Sequence, residues 1–157
     1  MENIEGKAQF LKAEYTKHLQ ELNPDAQRRW GKMNVQQMIE HMADYVRIGS
    51  GRVAERLVTP EEQVPRMQAF LASEKPFREN TPNSLMPETP PELRCASVNE
   101  AISEMQDELD YFFEVFKKEP GKKVMNPFFG LLDYEMSVQL LHKHVLHHLR
   151  QFGYELV

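Results

Sequence analysis

The chain has 157 residues, of which 41% are hydrophobic and 27% charged, and its formal net charge is −5. That length suits one domain with a real core and is short for two, so a single domain over residues 1–157 is expected. Acidic residues outnumber basic ones 24 to 19, which excludes a broad nucleic-acid surface, and no apolar run approaches the roughly 20 residues that a membrane span needs.

The opening residues, MENIEGKAQF, carry acids and lack the basic-then-apolar order of a signal peptide, so a cytoplasmic location is expected. The single cysteine, Cys95, excludes an intramolecular disulfide framework and every multi-cysteine zinc site. Beside Arg94 it reads as a bystander thiol.

Over residues 4–22 the apolar positions Ala8, Leu11, Tyr15, Leu19 and Leu22 recur at threes and fours, the period of an amphipathic helix. His18 lies beside this stripe and reads as a core-edge histidine. Asn23-Pro24-Asp25 ends the helix, because proline lacks an amide hydrogen and disfavours helix in the residue before it. A second helix starts at Asn34, a good N-cap with Gln37 placed to close a capping box, and stops at Gly49 and Gly51. Val35, Met38, Ile39, Met42, Tyr45 and Val46 form its apolar stripe. His41 sits at the margin and reads equally as an edge histidine or a ligand facing a neighbouring helix. Asp44, one turn on, reads as a solvated acid, with orientation of an imidazole as the alternative.

Thr59-Pro60-Glu61-Glu62 has a threonine cap, proline at the first helical position and a glutamate to close the box, yet Pro65 interrupts. A short or kinked helix to about Ser73 is expected. Five prolines, at 76, 82, 87, 90 and 91, make residues 75–92 a long extended connection, either a lid or contact surface or a plain tether. Residues 97–118 form the clearest helix, opened by a Ser97/Glu100 capping box and carrying a core stripe of Met105, Leu109, Phe112, Phe113 and Phe116. Glu119-Pro120-Gly121 ends it, Asn126-Pro127-Phe128-Phe129-Gly130 makes a tight approach, and Asp133 caps the last helix.

With four principal helices, a long crossover between the second and third, and no strand signal, the chain is expected to be an all-α four-helix bundle with a proline-rich crossover. Bundles build metal sites from inward-facing side chains on neighbouring helices. Four of the six histidines fall between positions 142 and 148. At roughly 100° per residue, His144 and His148 lie on one line in the middle of the apolar face, with Gln139, Lys143 and Arg150 on the opposite side. Such a pair, one turn apart, is a recurrent bidentate metal grip, and buried imidazoles need partners for their nitrogens. His142 and His147 turn away from the centre and are expected at the rim or in solvent.

Adding His41 would give three neutral nitrogens and no obligatory fourth protein ligand, the pattern of an open catalytic site. The cofactor expected is a divalent transition metal, zinc or nickel first and iron next, since imidazole suits these and suits magnesium or calcium poorly. A zinc-like ion would make hydroxide or a thiolate available near neutrality. No general base can be assigned, because neither Glu40 nor Asp44 is well placed.

The blocks WGKMNVQQMIEHMADYVR, NPFFG and KHVLHHLRQFG resemble the DinB/YfiT-like superfamily, in a bacterial branch of undetermined function, over about residues 23–153. The resemblance implies a four-helix bundle with a long connection after the second helix. It also implies a metal held by one histidine on helix two and an HxxxH pair on the last helix. By position these would be His41, His144 and His148, with Gln151 matching a glutamine that often follows the pair. Asn126 stands where this branch often has histidine, and Ser137 where an aromatic residue is common. The activity implied is that of a metal-dependent thiol transferase or hydrolase acting on a small molecule, the ion activating a thiol or a water. The alternative is a non-catalytic bundle serving in stress response or as an interaction module. A homodimer is the expected assembly.

Overall fold

Side-chain caps set the start of the three longest helices. The computed structural model describes residues 1–79 and 90–156. In chain order these hold α1 (Ile4–Ala13), α2 (Tyr15–Glu21), α3 (Val35–Ser50), a 3-10 turn (Glu61–Gln63), α4 (Val64–Ala72), α5 (Val98–Lys118), β1 (Val124–Asn126), β2 (Gly130–Leu132) and α6 (Tyr134–Gln151). The α3 start follows its sequence signal closely: Asn34 accepts from the Gln37 amide while the Gln37 side chain accepts from the Asn34 amide, and Gly51 closes the helix in the left-handed region. Ser97 opens α5 by accepting from the Glu100 amide, although the Glu100 carboxylate reaches back to Ala96 N–H instead. Asp133 opens α6 by accepting from Met136 N–H.

The chain is mostly helical, as its periodicity predicts, but three expectations need correction. The first helix is two, because Glu14 leaves helical geometry at φ −121° and ψ −34°. No glycine or proline stands there, and nothing in the local sequence explains the break. Thr59 does not cap a helix; the 3-10 turn precedes α4, and Pro65 sits in the first turn of α4, where its missing N–H is harmless. The chain also has strands: β1 and β2 pair antiparallel with Met125 opposite Leu131. Asn126 Oδ1 accepts from both Phe128 N–H and Phe129 N–H and closes the turn between them, so this asparagine has a backbone duty. Gly130, at φ 77°, is needed where a Cβ would stand 2.9 Å from Val64 Cγ1. Of the proline-rich connection, Pro76, Pro90 and Pro91 lie outside regular structure, and Pro82 and Pro87 lie outside the described residues.

The main core draws on α1, α2, α3, α5 and α6, with Tyr15, Met38, Ile39, Met42, Met105, Leu109 and Phe112 fully buried. Burial of each of the aliphatic, methionine and phenylalanine side chains contributes about 1.5–3 kcal/mol relative to exposure. α3 lies along α5 and also meets α6, α1 packs on α6, and α2 packs on α5. A smaller cluster of Leu71, Phe129, Leu132 and Leu140 joins α4 and the hairpin to α6. The packing of α3 on α6 is what positions the site.

Candidate metal centre

The three histidines named above come together. His41 projects from α3, and His144 and His148 from successive turns of α6, with ring centroids 5.6 Å (His41 to His144), 5.1 Å (His41 to His148) and 4.7 Å (His144 to His148) apart. One ring nitrogen from each lies within 4.8 Å of the others, and among the described residues no other group of three histidine, cysteine or acidic side chains converges in this way. Nε2 of His148 faces Nε2 of His144 at 3.0 Å. Two nitrogens each about 2.0–2.1 Å from a tetrahedral zinc stand about 3.3 Å apart, so this pair is already close to the spacing of a shared ion.

The protonation pattern also fits a metal. Gln151 Nε2 donates to Trp30 O at 3.0 Å, which leaves Gln151 Oε1 to accept from His148 Nδ1–H at 2.7 Å. This network assigns the His148 tautomer and leaves its Nε2 lone pair aimed at the centre. Gln151 has room to do so because Gly31, at φ 78°, lacks the Cβ that would stand 2.7 Å from its Nε2. The Arg29 amide donates to Gln151 O at 2.6 Å, so residues 29–31 are pinned to the end of α6. Burial, with a smaller contribution from His147, pushes His41 down to about 4. Burial followed by the neighbouring imidazoles holds His144 well below the ordinary value, and burial followed by His41 does the same to His148. All three rings are therefore neutral at pH 7 and present lone pairs rather than charge.

Aromatic side chains wall the centre. Tyr45, one turn beyond His41, has its ring 4.9 Å from His41 and 4.6 Å from His144. Phe77, from the connection after α4, lies 5.7 Å from His144 and 5.8 Å from His147. Trp30 lies 5.3 Å from His147. Tyr45 was legible as part of an apolar stripe, but not as a wall of the site. Phe77 carried no signal, because its approach to α6 depends on where the connection folds back.

The other candidates separate clearly. His18 donates through Nδ1 to Tyr154 Oη at 2.8 Å, and that hydroxyl donates to Glu21, so it is an edge histidine. His142 is half-buried against Phe10. His147 contradicts its rim expectation: it is 8% exposed, it hydrogen-bonds the Phe77 backbone, and its Nδ1 has no partner among the described residues. Phe77 and Trp30 cover it, which helix geometry alone could not foresee. Gln139 and Lys143, placed by helical phase opposite the histidines, are also buried, at 2% and 7% exposed. Glu40 and Asp44 point away from the imidazoles. Buried Glu40 accepts from Arg94 N–H at 2.9 Å and from Gln36, and Asp44 pairs with Arg47 at 2.8 Å. Cys95 is buried, and burial with Glu104 and Glu40 pushes its thiol up to about 11, so it is an inert side chain.

No described helix is long and apolar enough to cross a membrane. No curated protein and no solved structure matches the chain. The sequence profile of the DinB superfamily does match, over residues 9–152, a span that holds all three converging histidines and Gln151. Nearly the whole chain is covered, and the protein belongs to the DinB superfamily.

Proposed function

We propose that His41, His144 and His148 hold one divalent transition-metal ion, zinc or nickel first and iron next, in an open site of a metal-dependent enzyme of the thiol-transferase or hydrolase type. The observation that carries this reading is the convergence of three neutral imidazole nitrogens within 4.8 Å, with no fourth protein ligand among the described residues. When bound, such an ion would supply Lewis acidity to a thiol or a water. Gln151 orients His148, burial keeps all three ligands neutral, and Tyr45 and Phe77 exclude water from the flanks of the rings. The substrate in this reading is a small molecule, a thiol for the transferase and an ester or amide for the hydrolase. The fold that carries it is a single four-helix bundle over residues 1–157, formed by α1 with α2, α3, α5 and α6, with the proline-rich segment as crossover.

The reading extends to a cytoplasmic protein, for which a single cysteine, with no disulfide framework, is the support. It extends also to a homodimer, for which Leu131 and Val58 offer exposed apolar side chains. Metal analysis of untagged protein tests the centre: about one transition-metal ion per chain is expected, falling sharply in His144→Ala, and unchanged content in that variant would overturn the ligand set. A panel of thiol conjugations and ester or amide hydrolyses tests the activity, with turnover expected only in the metal-loaded protein. Metal that raises the melting temperature without any turnover would instead support a structural ion.

A further inference from the structure

α6 carries a second polar face, distinct from the histidine triad. There His142, Lys143 and Arg150, together with Lys7 from α1 and Glu74 and Lys75 beyond α4, line an open cavity of about 130 Å³. That space is ample for several water molecules or for one tetrahedral oxyanion. Its walls carry four cations and one carboxylate, in a chain whose net charge is −5.

The partners of these groups show which are engaged. Lys143 Nζ donates to the carbonyls of Phe70, Ser73 and Lys75, using all three of its N–H bonds. Lys7 Nζ donates to Glu74 Oε1 at 2.6 Å and to Gln139 Oε1 at 2.7 Å, while Glu74 Oε2 accepts from Gln139 Nε2. The one carboxylate is thus satisfied within the wall. Among the described residues, the Arg150 guanidinium and the Lys75 ammonium have no hydrogen bond or ion pair, and the His142 ring nitrogens have no hydrogen bond. Three sets of donors, from two elements, are thus left over around one hollow among the described residues.

We propose that this cavity binds the phosphate group of a small ligand, Arg150 and Lys75 supplying charge-assisted hydrogen bonds and His142 a ring N–H. A phosphate offers oxygens to donors on several walls at once, and the planar guanidinium can engage two of them in parallel. A carboxylate has lone pairs enough for three donor groups, but they lie in one plane, whereas the tetrahedral oxygens of a phosphate point towards several walls. The group is either inorganic phosphate or a phosphomonoester, and the two have the same recognition chemistry.

The test is calorimetric titration of the full-length protein with inorganic phosphate and, separately, with glycerol phosphate, at constant ionic strength held with chloride. Saturable one-to-one binding is expected, weakened at least tenfold in Arg150→Gln and several-fold in Lys75→Gln. Melting temperatures should be unchanged in both variants, since neither side chain has a partner among the described residues. Binding should persist in His144→Ala, which separates this cavity from the metal centre. Tighter binding of glycerol phosphate would assign the phosphate to an ester, and tighter binding of inorganic phosphate to the free ion. Non-saturable heats for both probes would overturn the proposal. So would equal affinity in wild type and both cavity variants, or loss of binding in His144→Ala alone.

Discussion

Two buried polar clusters hang on the same helix and have opposite characters. On one side of α6, Lys143 and Gln139 meet the end of α4, and every donor finds an acceptor: Lys143 caps three carbonyls, and Gln139 Nε2 donates to Leu71 O, Ser73 O and Glu74. On the other side, His144 and His148 meet His41, and three neutral imidazoles converge on one centre, with Nε2 of His144 and Nε2 of His148 3.0 Å apart. A saturated cluster fastens structure. An undersaturated one, in which neutral acceptors converge, has an affinity that the protein alone does not satisfy. The first also serves the second, since the clamp on residues 73–75 carries Phe77 onto His144.

The largest effect that would break this contrast is on metal content. His148→Ala is expected to lower metal affinity more than a hundredfold, read by competition with a chromophoric chelator, and to abolish the rise in melting temperature that metal gives wild type. Retained affinity would mean that the histidine cluster is as self-contained as the lysine one. Lys143→Met should act the other way. It takes the donor from Lys75 O and one of several donors each from Phe70 O and Ser73 O, and is expected to cost about 1–3 kcal/mol in urea unfolding, while about one metal ion per chain is retained.

Acid should separate the clusters as well. His41 titrates near 4 when folded and near its ordinary 6.5 when unfolded. Between those values the unfolded chain binds a proton that the folded chain refuses, so the metal-free protein loses stability as pH falls from 6.5 towards 4. His41 alone accounts for up to about 3 kcal/mol of this loss. The Lys7 hydrogen bond holds Glu74 down to about 2, so the saturated cluster stays charged and intact across that window. Urea midpoints measured from pH 7 to 4 check this; a flat profile would contradict neutral buried imidazoles.

A smaller effect sharpens the role of Gln151. Gln151→Ala frees the His148 tautomer and is expected to weaken metal binding about 10–100-fold without changing stoichiometry. The smallest effect is at Cys95. Its raised thiol should react with a maleimide far more slowly than a free cysteine at pH 7, and Cys95→Ser should leave metal affinity unchanged.

What was legible in the chain was local. Asn34 with Gln37, Ser97 and Asp133 act on amides three residues away, so their spacing alone located three helix starts. The HxxxH pair was legible for the same reason, because one helical turn is a property of the backbone. Lys143 and Gln139 misled: helical phase put them opposite the histidines, and only the packing of α4 and the following residues on α6 turned that face inward. The hairpin escaped notice because strands of three residues are too short to show an alternating pattern.

By itself, then, the sequence determined a mostly helical chain, the ends of its long helices, and two histidines held one turn apart, all consequences of hydrogen bonds and side-chain periods within a few residues. The tertiary structure decided the rest. It brought His41 across from α3, set Gln151 against Trp30, and closed Phe77 over the rings. It also buried Lys143 and Gln139 in a clamp whose donors are met, and left the three histidines converging on one centre. These outcomes depend on which elements pack together over separations of up to 121 residues, and no local period encodes them.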